Sequence, residues 1–173
     1  MRTDVQQGPE IWIRGPVTVP EPGPQQPAPS TATATARRYS WVGTHGGAGV
    51  STLAAVYGGH DCGRAWPGPE DPPSVLLVAR THASGLAAAL RTLEVFRLGE
   101  APPGLDLDAV VLVADAPGRL PRPLDRQVRL IESLIDVYRV PWVPDWRLGD
   151  LGGSPPRETV ALARLMGAAA RRR

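Results

Sequence analysis

The sequence predicts an α/β fold: a mostly parallel sheet of about four or more strands with helices on both faces, preceded by a proline-rich tail. Three observations carry this prediction. Residues 74–79 (SVLLVA) and 109–114 (AVVLVA) are unbroken apolar runs, as expected of strands buried on both faces. Stretches with helical spacing of apolar residues alternate with these runs, the pattern of parallel strands joined by crossover helices. A glycine-rich turn stands between the first strand and the first helix, where α/β sheets place their ligand-binding edge.

Taken in order, residues 1–36 read as a largely disordered tail. Prolines, glutamines and small residues dominate 20–36 and offer too little apolar surface to offset the entropy of ordering. Ile11-Trp12-Ile13 is an apolar island at 10–14, either a short docking strand or a loosely packed turn. The domain spans 37–173. Tyr39-Ser40-Trp41-Val42 makes its first strand, and residues 51–57 a helix with Leu53, Ala54 and Val56 inward, stopped by Gly58-Gly59. Residues 60–73 form a Gly/Pro-rich loop before the strand at 74–79. In the helix at 84–96, Leu86, Leu90 and Leu93 share one face at i, i+4 and i+7. The strand at 109–114 ends in the turn Asp115-Ala116-Pro117-Gly118. Leu124, Val128, Ile131 and Ile135 stripe a helix at 124–135, and a last strand at 137–143 runs into Pro144. A C-terminal helix over 156–170 has Pro156 at its start and cationic Arg171, Arg172 and Arg173 at its end, both suited to helix polarity.

Composition limits the function classes. A single cysteine, Cys62, excludes an internal disulfide and fits a reducing cytoplasm. No stretch approaches the roughly 20 apolar residues that span a bilayer, so membrane insertion is not expected. Met1 to Pro9 is polar, without an apolar leader segment. A net charge of +2 is too small to predict a nucleic-acid interface. Only Arg171, Arg172 and Arg173 offer nucleic acid or acidic lipid a contact, against the plainer reading of a solvated helix end. A protein partner is expected, with the Trp12 island and the pair Trp142 and Trp146 as its candidate surfaces. For Trp142, core packing is an equal reading; Trp146 is placed at the surface.

The chemistry-bearing segment is Thr44-His45-Gly46-Gly47-Ala48-Gly49-Val50-Ser51-Thr52, between a strand and a helix. A phosphate-binding P-loop is written GxxxxGK[ST] in that context. Val50 stands at the lysine position and Thr44 at the first glycine, and all 19 basic residues of the chain are arginine. What remains are bare amides at Gly46, Gly47 and Gly49, an anion nest at a helix N-terminus, and the hydroxyls of Ser51 and Thr52. Ser51 can donate to phosphate or, with Asp115, help hold magnesium. Arg80 follows the strand at 74–79, the second of the chain, on the same edge and can replace the lysine, since its fork suits phosphate; a solvated arginine at a strand end is the alternative. His45 and His82, with Asp115, are a loosely spaced candidate for proton transfer or metal binding. His60-Asp61-Cys62 has no second CxxC or HxxxH partner and reads as plain loop. The structural alternative for the glycines is that they only permit tight helix–sheet contact.

The strand, GlyGlyAlaGly turn, Ser-Thr pair and helix, followed by Val-Leu-Leu-Val and Val-Val-Leu-Val strands, resemble the ParA/MinD-like P-loop ATPases of the SIMIBI class, over roughly residues 39–145. Their loop is of the KGGVGK[ST][ST] type. Laid on it, His45 takes the first lysine position and Val50 the second, while Gly46, Gly47, Gly49, Ser51 and Thr52 match. Ala79 and Arg80 stand where the resemblance implies a magnesium-supporting aspartate, and the Asp115 turn is similar to the family's Asp-x-x-Pro/Gly turn. The chain also resembles a group of actinobacterial proteins with GTHGGAG-type loops and no assigned activity. The resemblance implies a P-loop-NTPase-like domain and ATP or GTP with Mg²⁺ as ligand. Loss of one electrostatic donor in such sites costs roughly 100–1,000-fold in rate, and here two lysines and an acid are missing. The expected function is a degenerate P-loop-like binding or regulatory module, taking a nucleotide or phosphate without efficient hydrolysis and with no catalytic residues. The alternatives are a weak ATPase using Arg80 or a partner's basic residue, and a ligand-free interaction scaffold. Val50→Lys is expected to strengthen nucleotide binding if the loop geometry is intact.

Overall fold

The computed structural model describes residues 37–167; the tail at 1–36, its Trp12 island and Arg171–Arg173 lie outside them. The elements are β1 (Tyr39–Gly43), α1 (Val50–Tyr57), β2 (His60–Asp61), β3 (Ser74–Arg80), α2 (Ala83–Arg97), β4 (Asp106–Val113), α3 (Arg122–Glu132), β5 (Val137–Val140), α4 (Pro144–Arg147), and a 3-10 turn (Arg157–Thr159) that runs into α5 (Val160–Leu165). The strands form one all-parallel sheet in the order β2-β1-β3-β4-β5.

Alternation along the central strand divides the core. Leu76 and Val78 face one layer with Trp41, Val50, Leu53, Tyr57 and Leu162, so α1 and α5 cover that side. Val75, Leu77 and Ala79 face the other with Leu86, Leu93, Val128 and Ile131, so α2 and α3 cover it. Both faces of β3 are therefore dry, which is why its sequence is unbroken in apolarity. Ala79 is fully buried in the second layer. A carboxylate there would be a buried charge without a partner, so the position is built as packing.

The structure departs from the sequence reading in four places, three of them with local causes. The loop at 60–73 contains β2, whose two residues are both exposed and so leave no apolar signal. β4 begins at Asp106, because its acidic start is held by Arg37, which pairs with Asp108 at 2.9 Å and also with Asp106. β5 stops at Val140, since Pro141 has no N–H to extend the ladder, and the C-terminal helix is confined within the described residues to a 3-10 turn and α5. Helix α1 ends where predicted: Gly58 and Gly59 adopt positive φ, and the Trp41 indole N–H donates to the Gly58 carbonyl at 2.7 Å.

The order places β2 and β3 on opposite sides of β1. The chain steps outward from β1 to β2 and then back across to β3, which opens a crevice at the carboxyl ends of β1 and β3. Ligands of doubly wound sheets bind at such a switch point. The glycine loop leaves β1 there, and Arg80 is the last residue of β3.

Candidate functional site

The loop is held at its base and open at its crown. Thr44 is tied to β3 twice, its N–H and its hydroxyl both donating to the Val78 carbonyl, at 2.9 and 3.2 Å. The His45 ring locks the next step: Nε2 accepts from the Arg80 N–H at 3.0 Å, and Nδ1–H donates to the Gly46 carbonyl at 2.9 Å. Accepting on one nitrogen leaves donation to the other, which fixes the neutral tautomer. Gly47 and Gly49 then turn through left-handed φ of 72° and 106°. Gly49 caps α1 with no side-chain cap bond. Among the described residues, the amides of 45–52 make no well-formed hydrogen bond to a protein acceptor. Gly46, Gly47 and Ser51 are exposed and Ala48 is buried.

Val50 corrects the lysine analogy. It is 7 % exposed, and its Cγ2 lies 3.0 Å from where a Cβ on Gly43 would stand. The side chain fills the space beneath the loop rather than reaching its mouth, so Val50→Lys would displace core packing before it supplied a cation to a ligand.

Arg80 sits at the rim. Its Nε donates to the Gly47 carbonyl at 3.2 Å and Nη1 to the Ala114 carbonyl at 3.1 Å, so the guanidinium ties the loop to the end of β4. Nη2 faces Gly49, 3.8 Å from a Cβ position there. Arg147, on α4, lines the same small cavity of about 30 Å³ with Gly49 and Thr52. Its guanidinium stacks on Trp142 at 4.5 Å and pairs loosely with Asp115 at 3.8 Å. Burial first, then the Arg147 cation, lowers the Arg80 pKa from its ordinary value, with Asp115 offsetting part. Two close arginines with one carboxylate between them, beside unpaired amides, are a field that an anion relieves.

Other candidates are brought together differently. His82 caps α2, Nδ1 accepting from the Gly85 N–H at 2.9 Å, with the Ser84 hydroxyl at 3.0 Å. Its ring lies 5.0 Å from His45, but both nitrogens of His45 are engaged by the backbone, so this pair is not a ready metal site. Ser51 and Asp115 are not brought to a shared cavity: Ser51 is on the exposed first turn of α1, and Asp115 lines a larger cavity of about 720 Å³ between the ends of β3, β4 and β5. That cavity lies beyond Arg80 from the loop, and two of its charges are already paired, Asp125 with Arg129 and Arg139 with Glu132. Among the described residues, the turn at 116–120 that lines the larger cavity also has amides without a protein acceptor; the loop adds to such amides two left-handed glycines and the nearby Arg80 and Arg147 guanidinium groups. Trp146 is half-buried, edge-on to Tyr57 at 6.4 Å and packed on the α1 layer, so it is not the surface patch expected of it.

Sequence reasoning missed Arg147 and Gly85. Arg147 is ten residues past the start of β5 in a segment without a motif, and only the return of α4 over α1 reveals it. Gly85 admits α2 to the site: a Cβ there would lie 2.4 Å from the Arg80 carbonyl and 3.0 Å from His45 Nε2.

A family model described as "Family of unknown function (DUF6668)" matches residues 38–165, a span that contains the loop, Arg80 and the Asp115 turn. No curated protein and no solved structure matches the chain.

Proposed function

We propose, for a chain that belongs to the DUF6668 family of unknown function, that it is a binding or regulatory module whose glycine loop takes a phosphate-type anion, free or on a nucleotide such as ATP or GTP, without efficient hydrolysis. One observation carries the reading: the amides of residues 45–52 stand without protein acceptors around two left-handed glycines, at the switch-point edge of the sheet. Arg80 Nη2 and the Arg147 guanidinium supply the positive charge that the missing lysine would have given. The resemblance to ParA/MinD-like ATPases supports a nucleotide in particular. Against turnover stand the buried Val50 and Ala79 and the separation of Ser51 from Asp115. Phosphoryl transfer depends on fixed cations and a positioned metal at the transferring group, and neither position is equipped.

The test is thermal stability with inorganic phosphate, ADP, ATP and GTP, each with and without magnesium. A ligand at about 100 times its Kd adds about 2.7 kcal/mol. For a domain of this size that raises Tm by roughly 5–10 °C. The shift should shrink in Arg147→Ala, which leaves the loop's own bonds intact. A flat response to every ligand at millimolar concentration overturns the reading. Phosphate release at an ordinary enzymatic rate, about 1 s⁻¹ or more, and abolished in Ser51→Ala, would replace it with an ATPase.

A further inference from the structure

We propose that His60, Cys62 and Asp71 form a binding site for a divalent, zinc-type metal ion at the β2 edge of the sheet. The site is independent of the glycine loop. One donor atom from each residue converges with the other two, all within 4.8 Å of one another. The convergence follows from the local fold. His60 lies on β2, and the Cys62 N–H continues its pairing by donating to the Trp41 carbonyl at 3.1 Å. Residues two apart on an extended strand share a face, so the imidazole and the thiol point the same way. Asp61, between them, points elsewhere and accepts the Gly63 N–H at 2.8 Å. The proline-rich loop then folds back and returns Asp71. One of its oxygens, Oδ2, is anchored by the Gly68 N–H at 2.8 Å, and Oδ1 faces His60 Nε2 at 3.1 Å.

The donor set is one thiolate sulfur, one imidazole nitrogen and one carboxylate oxygen, the three ligand types that zinc accepts together. Bond lengths of about 2.0–2.3 Å put tetrahedral donors roughly 3.3–3.8 Å apart. The observed spread is therefore closed by side-chain rotation of about 1 Å. His60 and Asp71 keep 45 % and 30 % of their side-chain surface exposed, so an ion has an entry path and room for water as a fourth ligand. The Asp71 and Asp61 carboxylates stand close enough to Cys62 to favour a cation beside it. Binding would expel the thiol proton to solvent and form the metal–sulfur bond, with no change in oxidation state. The ion would clip the 62–73 loop to the sheet edge, next to the point where the Gly43 N–H donates to the Gly63 carbonyl at 2.7 Å.

The test is titration of the full chain, thiol kept reduced, with Co²⁺ as a spectroscopic probe and Zn²⁺ as competitor. One equivalent of cobalt should produce a near-ultraviolet thiolate-to-metal charge-transfer band that zinc displaces. Cys62→Ser should abolish the band. His60→Ala and Asp71→Asn should each weaken the affinity by at least the roughly 10–100-fold that loss of a supporting partner costs a metal site. Asp61→Asn should keep both band and stoichiometry. Absence of the band in the natural chain overturns the proposal. So does an affinity unchanged in both His60→Ala and Asp71→Asn, which would mean a lone thiolate. If Cys62→Ser fails to fold, the other two variants decide alone, because His60 is exposed and Asp71 is partly so.

Discussion

A methyl group on Gly85 would meet backbone, not a movable side chain, since the nearest atom is the Arg80 carbonyl oxygen at 2.4 Å. Either α2 retreats or the end of β3 shifts, and both carry His45 and Arg80 with them. Gly85→Ala should therefore destabilise the domain by roughly 1–3 kcal/mol, the range of forced overpacking, seen as a lower denaturant midpoint. It should also weaken the response to phosphate, because the Arg80 N–H that anchors His45 moves. An unchanged midpoint would mean that the helix moves freely and the contact is soft. His45 is the second such residue. His45→Ala removes the acceptor for Arg80 N–H and the donor for Gly46 carbonyl, and leaving such groups unpaired costs about 1–3 kcal/mol. Neither role could be read from the sequence. Gly85 lies in an alanine-rich helical stretch, where a glycine signals nothing until the neighbouring strand end is in place. His45 reads as a misplaced lysine until its ring is seen between two backbone groups.

At the scale of elements, legibility followed burial. β1, β3 and β4 were visible because strands covered on both faces must be apolar throughout, and α2 and α3 because their buried stripes recur at helical spacing. β2 and α4 were not visible: the first is two exposed residues, and the second is four residues set by Pro144. The candidate site divided in the same way. The loop and Arg80 were marked by a motif and a strand end, while Arg147 and Asp71 reach their places only through tertiary return of the chain. The loop–α1 unit then reverses one expectation. Val50 is a wedge under the turn, so Val50→Lys should cost roughly 1–3 kcal/mol by crowding and lost packing, with no gain in affinity for ATP or phosphate. Calorimetric titration beside a denaturation curve checks both. Tighter binding at unchanged stability would show that the side chain can reach the mouth of the loop.

Across the whole domain, the last described segment is fastened to the first helix by one buried bond. Tyr57, at the end of α1, donates its hydroxyl to Thr159 Oγ1 at 2.7 Å, and Thr159 donates onward to the Pro156 carbonyl at 2.7 Å. With Leu162 buried beside it, this chain fixes the C-terminal side of the layer that carries the glycine loop. Among the described residues, no helix is long and apolar enough to cross a membrane; α5 docks on this layer through Leu162. Burial raises the Tyr57 pKa above its ordinary value of 10.0, only partly offset by the Thr159 hydrogen bond. A raised folded-state pKa gives a definite sign. Below about pH 10 both folded and unfolded tyrosines are protonated, and the contribution is fully present. Above it the unfolded chain loses the proton first, the folded state binds more protons, and stability falls with rising pH. Tyr57→Phe should therefore be less stable at neutral pH by about 0.5–1.5 kcal/mol, the net value of one hydrogen bond, yet lose less stability on the alkaline side. The two curves of unfolding free energy should converge as pH passes about 10. Curves that stay parallel through that range would mean that the Tyr57 hydroxyl ionises as freely in the folded chain as in the unfolded one, and that docking of the C-terminal segment does not depend on its proton.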